Sequence, residues 1–188
     1  MSLDLYLGPM FAGKSSAAIG LIRRNAVIGR RTLCITSQLD TRYTNEPQIV
    51  SHNMEMSPAV AVATLKPLLE TSQYTEAACV VVEEAQFFPD LKEFALVAVE
   101  QHGKHVVCVG LDGDAERNPF GALNALIPFC DSVQKFKALC RRCGDGTAAI
   151  FTHRFEKAPQ QISVGDANQY EPLCRRHYVE ATIYTQAP

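Results

Sequence analysis

Gly8-Pro9-Met10-Phe11-Ala12-Gly13-Lys14-Ser15 is the stretch on which the fold turns. It matches G-x-x-x-x-G-K-[ST], a loop whose backbone N–H groups curl around phosphate oxygens at the start of a helix. In that pattern Lys14 reaches the terminal phosphates and the Ser15 hydroxyl ligates Mg²⁺. The motif requires a strand before it and a helix after it, and both are legible. Leu3-Asp4-Leu5-Tyr6-Leu7 alternates as a strand does and stops at Gly8-Pro9. From Lys14 to about Arg30, Ile19, Ile22 and Ala26 recur on one helical face.

Working outward, Thr32–Thr36, Val80–Val82 and Val106–Val109 are apolar runs suited to parallel strands buried on both faces. A helical pattern opening at Pro89 and running to about His102 separates the last two. A final strand is expected near Ser132–Ala138. The spacing predicts an α/β fold, a P-loop sheet of mostly parallel strands flanked by helices. Asp40–Gln73, broken by Pro47, Pro58 and Pro67, is expected to hold a loop, a hairpin or short strand, and a short helix. After Leu139 the periodicity fades into cysteines, glycines and polar residues. The expected division is therefore 1–138 as a P-loop domain and 139–188 as a small metal-stapled subdomain and tail.

Val80-Val81-Val82 runs into Glu83-Glu84-Ala85-Gln86-Phe87-Phe88. A parallel sheet presents its ligands at the carboxyl ends of its strands, beside the phosphate loop. There one carboxylate can support Mg²⁺ while its neighbour takes a proton from an attacking group. Because side chains alternate along a strand, Glu83 and Glu84 are expected to point apart and divide the two tasks. A phosphate loop and an acidic strand end establish nucleotide chemistry without choosing among ATPases, GTPases and kinases.

Four cysteines (Cys34, Cys79, Cys108 and Cys130) lie in or beside apolar runs and read as free thiols in a reducing cytoplasm. Cys140-Arg141-Arg142-Cys143 and Cys174-Arg175-Arg176-His177 are different. Two knuckles of this spacing close a tetrahedral set of three thiolates and one imidazole, which suits a structural Zn²⁺ with no open position. The formal charge of −2 gives no basic footprint for nucleic acid. No apolar run reaches the length of a bilayer span, and Met1-Ser2-Leu3-Asp4 lacks the features of a secretory signal. Neither a membrane nor a nucleic acid is an expected partner. The competing reading is a P-loop ATPase or nucleotide switch, with Arg141, Arg142, Arg175 and Arg176 gripping nucleic acid or protein.

Taken together, the phosphate loop, Asp40-Thr41-Arg42-Tyr43, Glu83–Phe88, Leu111-Asp112-Gly113 and the two knuckles resemble the type II thymidine kinases, in the family's order, from about Leu3 to Tyr178. The resemblance implies a RecA-like P-loop domain, a zinc-ribbon-like subdomain carrying a lasso loop, and a homotetramer. It implies ATP–Mg²⁺ as donor and thymidine as acceptor, with deoxyuridine as a further candidate and thymidine triphosphate as a feedback inhibitor. Glu84 takes the position of the general base. Glu83 stands where the family usually has a magnesium-holding aspartate, and Asp40 and Arg42 stand where the phosphates are contacted. Met10, Gln86, Phe87, Leu111, Ala115 and Thr152 fall at the nucleoside, with Gln161, Ile162, Ser163, Val164 and Gly165 of the lasso and Tyr170 beyond it. Ala115 replaces a phenylalanine and Asp166 replaces a glycine, two departures that bear on substrate range.

Overall fold

The structure, a computed structural model, describes residues 1–39, 48–50, 56–156, 161 and 167–184. Among the described residues, twelve short strands and four α-helices are formed. The strands are β1 (Ser2–Leu7), β2 (Thr32–Ser37), β3 (Gln48–Val50), β4 (Met56–Pro58), β5 (Val60–Val62), β6 (Cys79–Val82), β7 (His105–Gly110), β8 (Ser132–Lys135), β9 (Ala138–Leu139), β10 (Ala148–Ala149), β11 (Phe151–Arg154) and β12 (Tyr170–Leu173). The helices are α1 (Lys14–Val27), α2 (Ser72–Glu76), α3 (Leu91–Leu96) and α4 (Arg175–Tyr184).

Six strands form one parallel sheet in the order β5-β2-β6-β7-β1-β8. The apolar runs explain its centre: every residue of β6 is buried, and alternate side chains feed two different cores. Leu3, Leu5, Val80, Val82, Val106 and Cys108 pack on one face with Phe88, Leu91, Phe94 and Leu123. Cys34, Cys79, Val81, Val107 and Val109 pack on the other with Ala18 and Ile19 of α1. The result is three layers, helix over sheet over helix, as strand–helix alternation requires. Burial pushes the thiol of Cys34 up to about 11 and that of Cys108 up to about 12, so these cysteines are inert core.

Two local expectations shift. The first helix ends at Val27, and Ala26 is exposed while Ile19 is buried. The helix expected from Pro89 begins at Leu91 and widens into a π-type turn over Val97–Gln101. Between β2 and β6 the chain makes a β3–β4 hairpin, the edge strand β5 and a 3-10 turn over Lys66–Glu70, followed by α2. Lys104 closes the end of α2 from inside, donating from Nζ to the carbonyls of Tyr74 (2.8 Å), Thr75 (3.1 Å) and Ala77 (2.7 Å).

Beyond β8 the pairing becomes local and antiparallel, β9 with β10 and β11 with β12. A third apolar cluster forms here from Ala138, Cys140, Ala149, Leu173, Cys174, Tyr178 and Ala181. Phe11 and Ala12 of the phosphate loop pack against it, so this small core touches the P-loop directly.

Candidate active site

The phosphate loop leaves β1 at a backbone position that only glycine fills. Gly8 has φ +144°, and a Cβ there would lie 2.5 Å from the Phe136 carbonyl oxygen. The loop then curls to the N-terminus of α1, where Lys14 Nζ donates to the carbonyls of Gly8 (3.1 Å) and Pro9 (2.7 Å). Its ammonium therefore spans the mouth of the loop. Gly8, Pro9 and Met10 are buried, and Phe11, Ala12, Lys14 and Ser15 are half-buried beside the exposed Gly13. The Met10 N–H donates to Thr152 Oγ1 at 3.0 Å, joining the loop to β11.

Ser15 Oγ donates to Glu83 Oε1 at 2.5 Å. Glu83 is buried at the carboxyl end of β6, although β7 separates β6 from β1 in the sheet. A hydroxyl and a carboxylate joined in this way are hard oxygen donors of the kind Mg²⁺ prefers. Glu83 and Glu84 have different partners, Ser15 and Gln86, and only Glu83 keeps a strand-like place at the end of β6. Glu84 has left the strand at φ +50°, ψ +43°, a left-handed conformation that costs a residue with a Cβ about 1–2 kcal/mol. Strain of that size at a half-buried carboxylate is characteristic of functional turns.

Gln86 follows in the 3-10 turn Ala85–Phe87 and is 4 % exposed. Its Nε2 donates to Glu84 Oε2, and its Oε1 accepts the Leu111 N–H at 3.1 Å. Phe87, half-buried, meets Phe120 edge-on. From Leu111 the chain enters a loop organised by the buried Asp114. Its Oδ1 accepts the N–H groups of Glu116 (3.0 Å) and Asn118 (2.8 Å). Its Oδ2 accepts Gln161 Nε2 at 2.8 Å, so the expected lasso residue Gln161 is tied to this loop. Ala115 lies on the same loop, and its carbonyl accepts the Tyr178 hydroxyl at 2.5 Å. Tyr170 is buried in β12, paired opposite Arg154. Pro9 and Thr152 line one pocket together with Asp112, Asp114, Arg117, Lys135 and Phe151. Asp40, Arg42, Ile162, Ser163, Val164, Gly165 and Asp166 lie outside the described residues.

The two knuckles come together as their spacing predicts. Cys140 and Cys143 sit in the tight connection from β9 to β10, while Cys174 and His177 sit at the start of α4, where the Tyr178 N–H returns to the Cys174 carbonyl at 2.9 Å. Cys143 Sγ lies 3.8 Å from Cys174 Sγ, and His177 Nδ1 lies 3.4, 3.3 and 3.6 Å from the sulfurs of Cys140, Cys143 and Cys174. Bond lengths of ~2.3 Å to sulfur and ~2.0 Å to nitrogen around a tetrahedral centre give edges of about 3.8 and 3.5 Å. The four groups thus fit a zinc ion, and His177 would bind it through Nδ1. Burial alone would raise the Cys140 thiol, but hydrogen bonds from the Cys174 backbone and His177 outweigh it and bring the group down to about 6. A thiol so placed is readily a thiolate ligand.

Sequence reasoning did not find Asp114, Tyr178 or the Arg142–Glu171–His153 chain. The buried Glu171 Oε1 accepts from Arg142 (2.6 Å) and lies 3.2 Å from His153 Nδ1. Asp114 left a faint signal, since an Asp in a loop readily accepts the N–H two residues on, here that of Glu116, in an Asx-type turn. The others are contacts between residues distant in sequence.

With this geometry in hand, comparison with known proteins is decisive. The family profile described as thymidine kinase matches residues 1–178. The chain belongs to the thymidine kinase family. It is 37 % identical to a thymidine kinase of Oryza sativa subsp. japonica, over 98 % of this chain and 69 % of the rice protein. It is 35 % identical to a thymidine kinase of Bacteroides thetaiotaomicron, over 95 % of this chain and 87 % of that protein. A human protein named thymidine kinase, cytosolic, is 32 % identical over 94 % of this chain and 72 % of its own length. This family member has no helix, among the described residues, long and apolar enough to cross a membrane.

Proposed function

We propose that the chain transfers the γ-phosphate of ATP to the 5′-hydroxyl of thymidine, giving thymidine monophosphate in nucleotide salvage. The observation that carries this reading is the convergence, within one family member, of the Lys14–Ser15 phosphate loop with Glu83 and with the strained, half-buried Glu84. A 5′-hydroxyl is a weak nucleophile, so the work lies in alignment, charge neutralisation and removal of one proton. In this reading the N–H groups of residues 8–15 cradle the phosphates and Lys14 offsets the charge that builds on the transferred group. Glu84 takes the proton of the 5′-hydroxyl. Ser15 and Glu83 hold Mg²⁺, which when bound neutralises phosphate charge; Asp40 and Arg42 assist at the phosphates.

The nucleoside is read by a wall of Met10, Phe87, Leu111, Ala115 and Thr152, covered by the lasso residues Gln161–Gly165 and Tyr170. Zinc on Cys140, Cys143, Cys174 and His177 staples the unit 139–188 that carries the lasso, against the P-loop unit 1–138. Keeping water from the phosphate limits idle hydrolysis of ATP. Deoxyuridine, which lacks only the base methyl, is a secondary acceptor, and thymidine triphosphate is a feedback inhibitor. A cytoplasmic homotetramer is the working state. Support for self-association comes from the edge strand β8, exposed along its length, with Val133 and the nearby Ile127 and Phe129 about half exposed.

The nucleotide-switch alternative loses ground on the four arginines it needs. Arg142 is engaged by Glu171, Arg175 lies over Phe151, Arg176 faces Glu180 and Arg141 donates to the Ala167 carbonyl. The test is to supply the zinc-loaded protein with ATP–Mg²⁺ and a panel of nucleosides. Selective formation of thymidine monophosphate is expected. ATP hydrolysis stimulated by DNA or RNA, with every nucleoside left intact, would replace this proposal with the switch.

A further inference from the structure

The resemblance to the family put Gln86 at the nucleoside, yet its side chain is buried and its amide is used at both ends. The orientation of that amide follows from its surroundings. Leu111 presents a backbone N–H, which only the amide oxygen can accept, at 3.1 Å. The NH₂ group therefore faces Glu84, where it meets an acceptor-only carboxylate at Oε2. The backbone enforces the same contact: Glu84 and Gln86 belong to one tight turn, with the Phe87 N–H returning to the Glu84 carbonyl at 3.0 Å.

The space for this amide is also built in. A Cβ on Gly110 would lie 2.3 Å from Gln86 Oε1 and 2.9 Å from Leu123 Cδ2, so only glycine at the end of β7 admits the side chain. Three elements thus converge on one side chain: the turn after β6, the end of β7 and the loop that begins at Leu111.

We infer that Gln86 is a positioning residue: it fixes the Glu84 carboxylate in its turn and ties it, through the Leu111 N–H, to the wall of the nucleoside pocket. This rests on the reading of Glu84 as proton acceptor. Misplacing a proton acceptor by an ångström costs rate rather than affinity. Gln86 holds the Glu84 carboxylate in place without touching substrate.

The test compares Gln86→Glu and Gln86→Met with Glu84→Gln in thymidine phosphorylation, each rate expressed per site titrated with a non-hydrolysable ATP analogue, so that misfolded protein is not counted. Gln86→Glu keeps the acceptor for Leu111 but sets oxygen against oxygen at Glu84; Gln86→Met keeps the volume and removes both hydrogen bonds. The expected result is a kcat lowered roughly tenfold to hundredfold in both, part of the roughly hundredfold to ten-thousandfold that a general base supplies. The KM for thymidine and the affinity for the ATP analogue stay within about twofold, since no binding contact is lost. Combining Gln86→Met with Glu84→Gln should be no slower than Glu84→Gln alone, because a positioner has nothing left to position. A raised thymidine KM at unchanged kcat would overturn the inference in favour of direct contact. Normal Gln86 variants beside an inactive Glu84→Gln would overturn the positioning role and leave Glu84 as base. Near-normal turnover in Glu84→Gln would sink the base reading itself and the inference with it.

Discussion

Replacing Thr152 by valine should loosen the phosphate loop from the small metal-stapled core while hardly altering shape. Thr152 is 5 % exposed and Met10 is 8 % exposed, and the Met10 N–H has Thr152 Oγ1 as its acceptor at 3.0 Å. Valine fills the same volume but offers no oxygen, so a buried N–H loses its partner. An orphaned buried donor costs about 1–3 kcal/mol. For a chain of this size, 1 kcal/mol moves the unfolding midpoint by roughly 2–4 °C, so a fall of about 2–12 °C is expected. The chain contains no tryptophan, which makes far-UV circular dichroism at saturating zinc the suitable probe. Thr152→Ser is the control. It keeps the hydroxyl and loses only one methyl group, worth about 0.8 kcal/mol, so it should unfold between the wild type and the valine variant. A valine variant as stable as the wild type, or a serine variant less stable than it, would refute the assigned hydrogen bond.

Other consequences are open to direct measurement. Cys143→Ser removes one of the four grouped ligands, and zinc content should fall from about one per chain to a small fraction while ATP-analogue binding persists; full zinc retention would contradict the ligand set. His153 is buried and its pKa is lowered from 6.5, chiefly by desolvation, with the Glu171 carboxylate opposing and Arg142 assisting. The folded state therefore binds a proton less readily than the unfolded state. This contribution is full above about pH 6.5 and is lost as the pH falls below it. His153→Gln should flatten that part of the stability–pH curve measured by urea unfolding, and an unchanged slope would exclude His153 as its source. Gly110→Ala should cost about 1–3 kcal/mol through overpacking and lower kcat by displacing the Gln86 amide; unchanged turnover would show that the amide has room to move.

Much of this was legible from the chain because the decisive signals are local. The phosphate loop is a contiguous turn whose flanking strand and helix announce themselves by alternation and by a 3.6-residue repeat. The four candidate zinc ligands lie in two short knuckles, and Val80–Val82 and Val106–Val109 are unbroken apolar runs buried on both faces. The acidic pair was legible as the end of a buried strand but not as geometry. Strand alternation presumes that both residues are still in the strand, whereas Glu84 has left it in a left-handed turn, and a non-glycine residue gives no warning of positive φ.

Side-chain direction was the larger gap. Nothing in the order of residues says that the Gln86 amide turns inward, that the Thr152 hydroxyl serves Met10, or that the Tyr178 hydroxyl reaches the Ala115 carbonyl. Two of these contacts join groups placed together only once the sheet and the C-terminal unit have packed. The change from α3 to a wide turn at Val97, whose Ala98 and Val99 lie in the core, left no signal in the residue order either.

The central claim is that this site moves a phosphoryl group from ATP to the 5′-oxygen of thymidine. The most direct measurement follows ADP and thymidine 5′-monophosphate together in one reaction of the purified, zinc-loaded protein with ATP–Mg²⁺, with and without thymidine. The two products should rise one for one, and ADP formation should nearly stop when thymidine is withheld. ADP that accumulates at the same rate without thymidine, with no thymidine monophosphate formed, would contradict it.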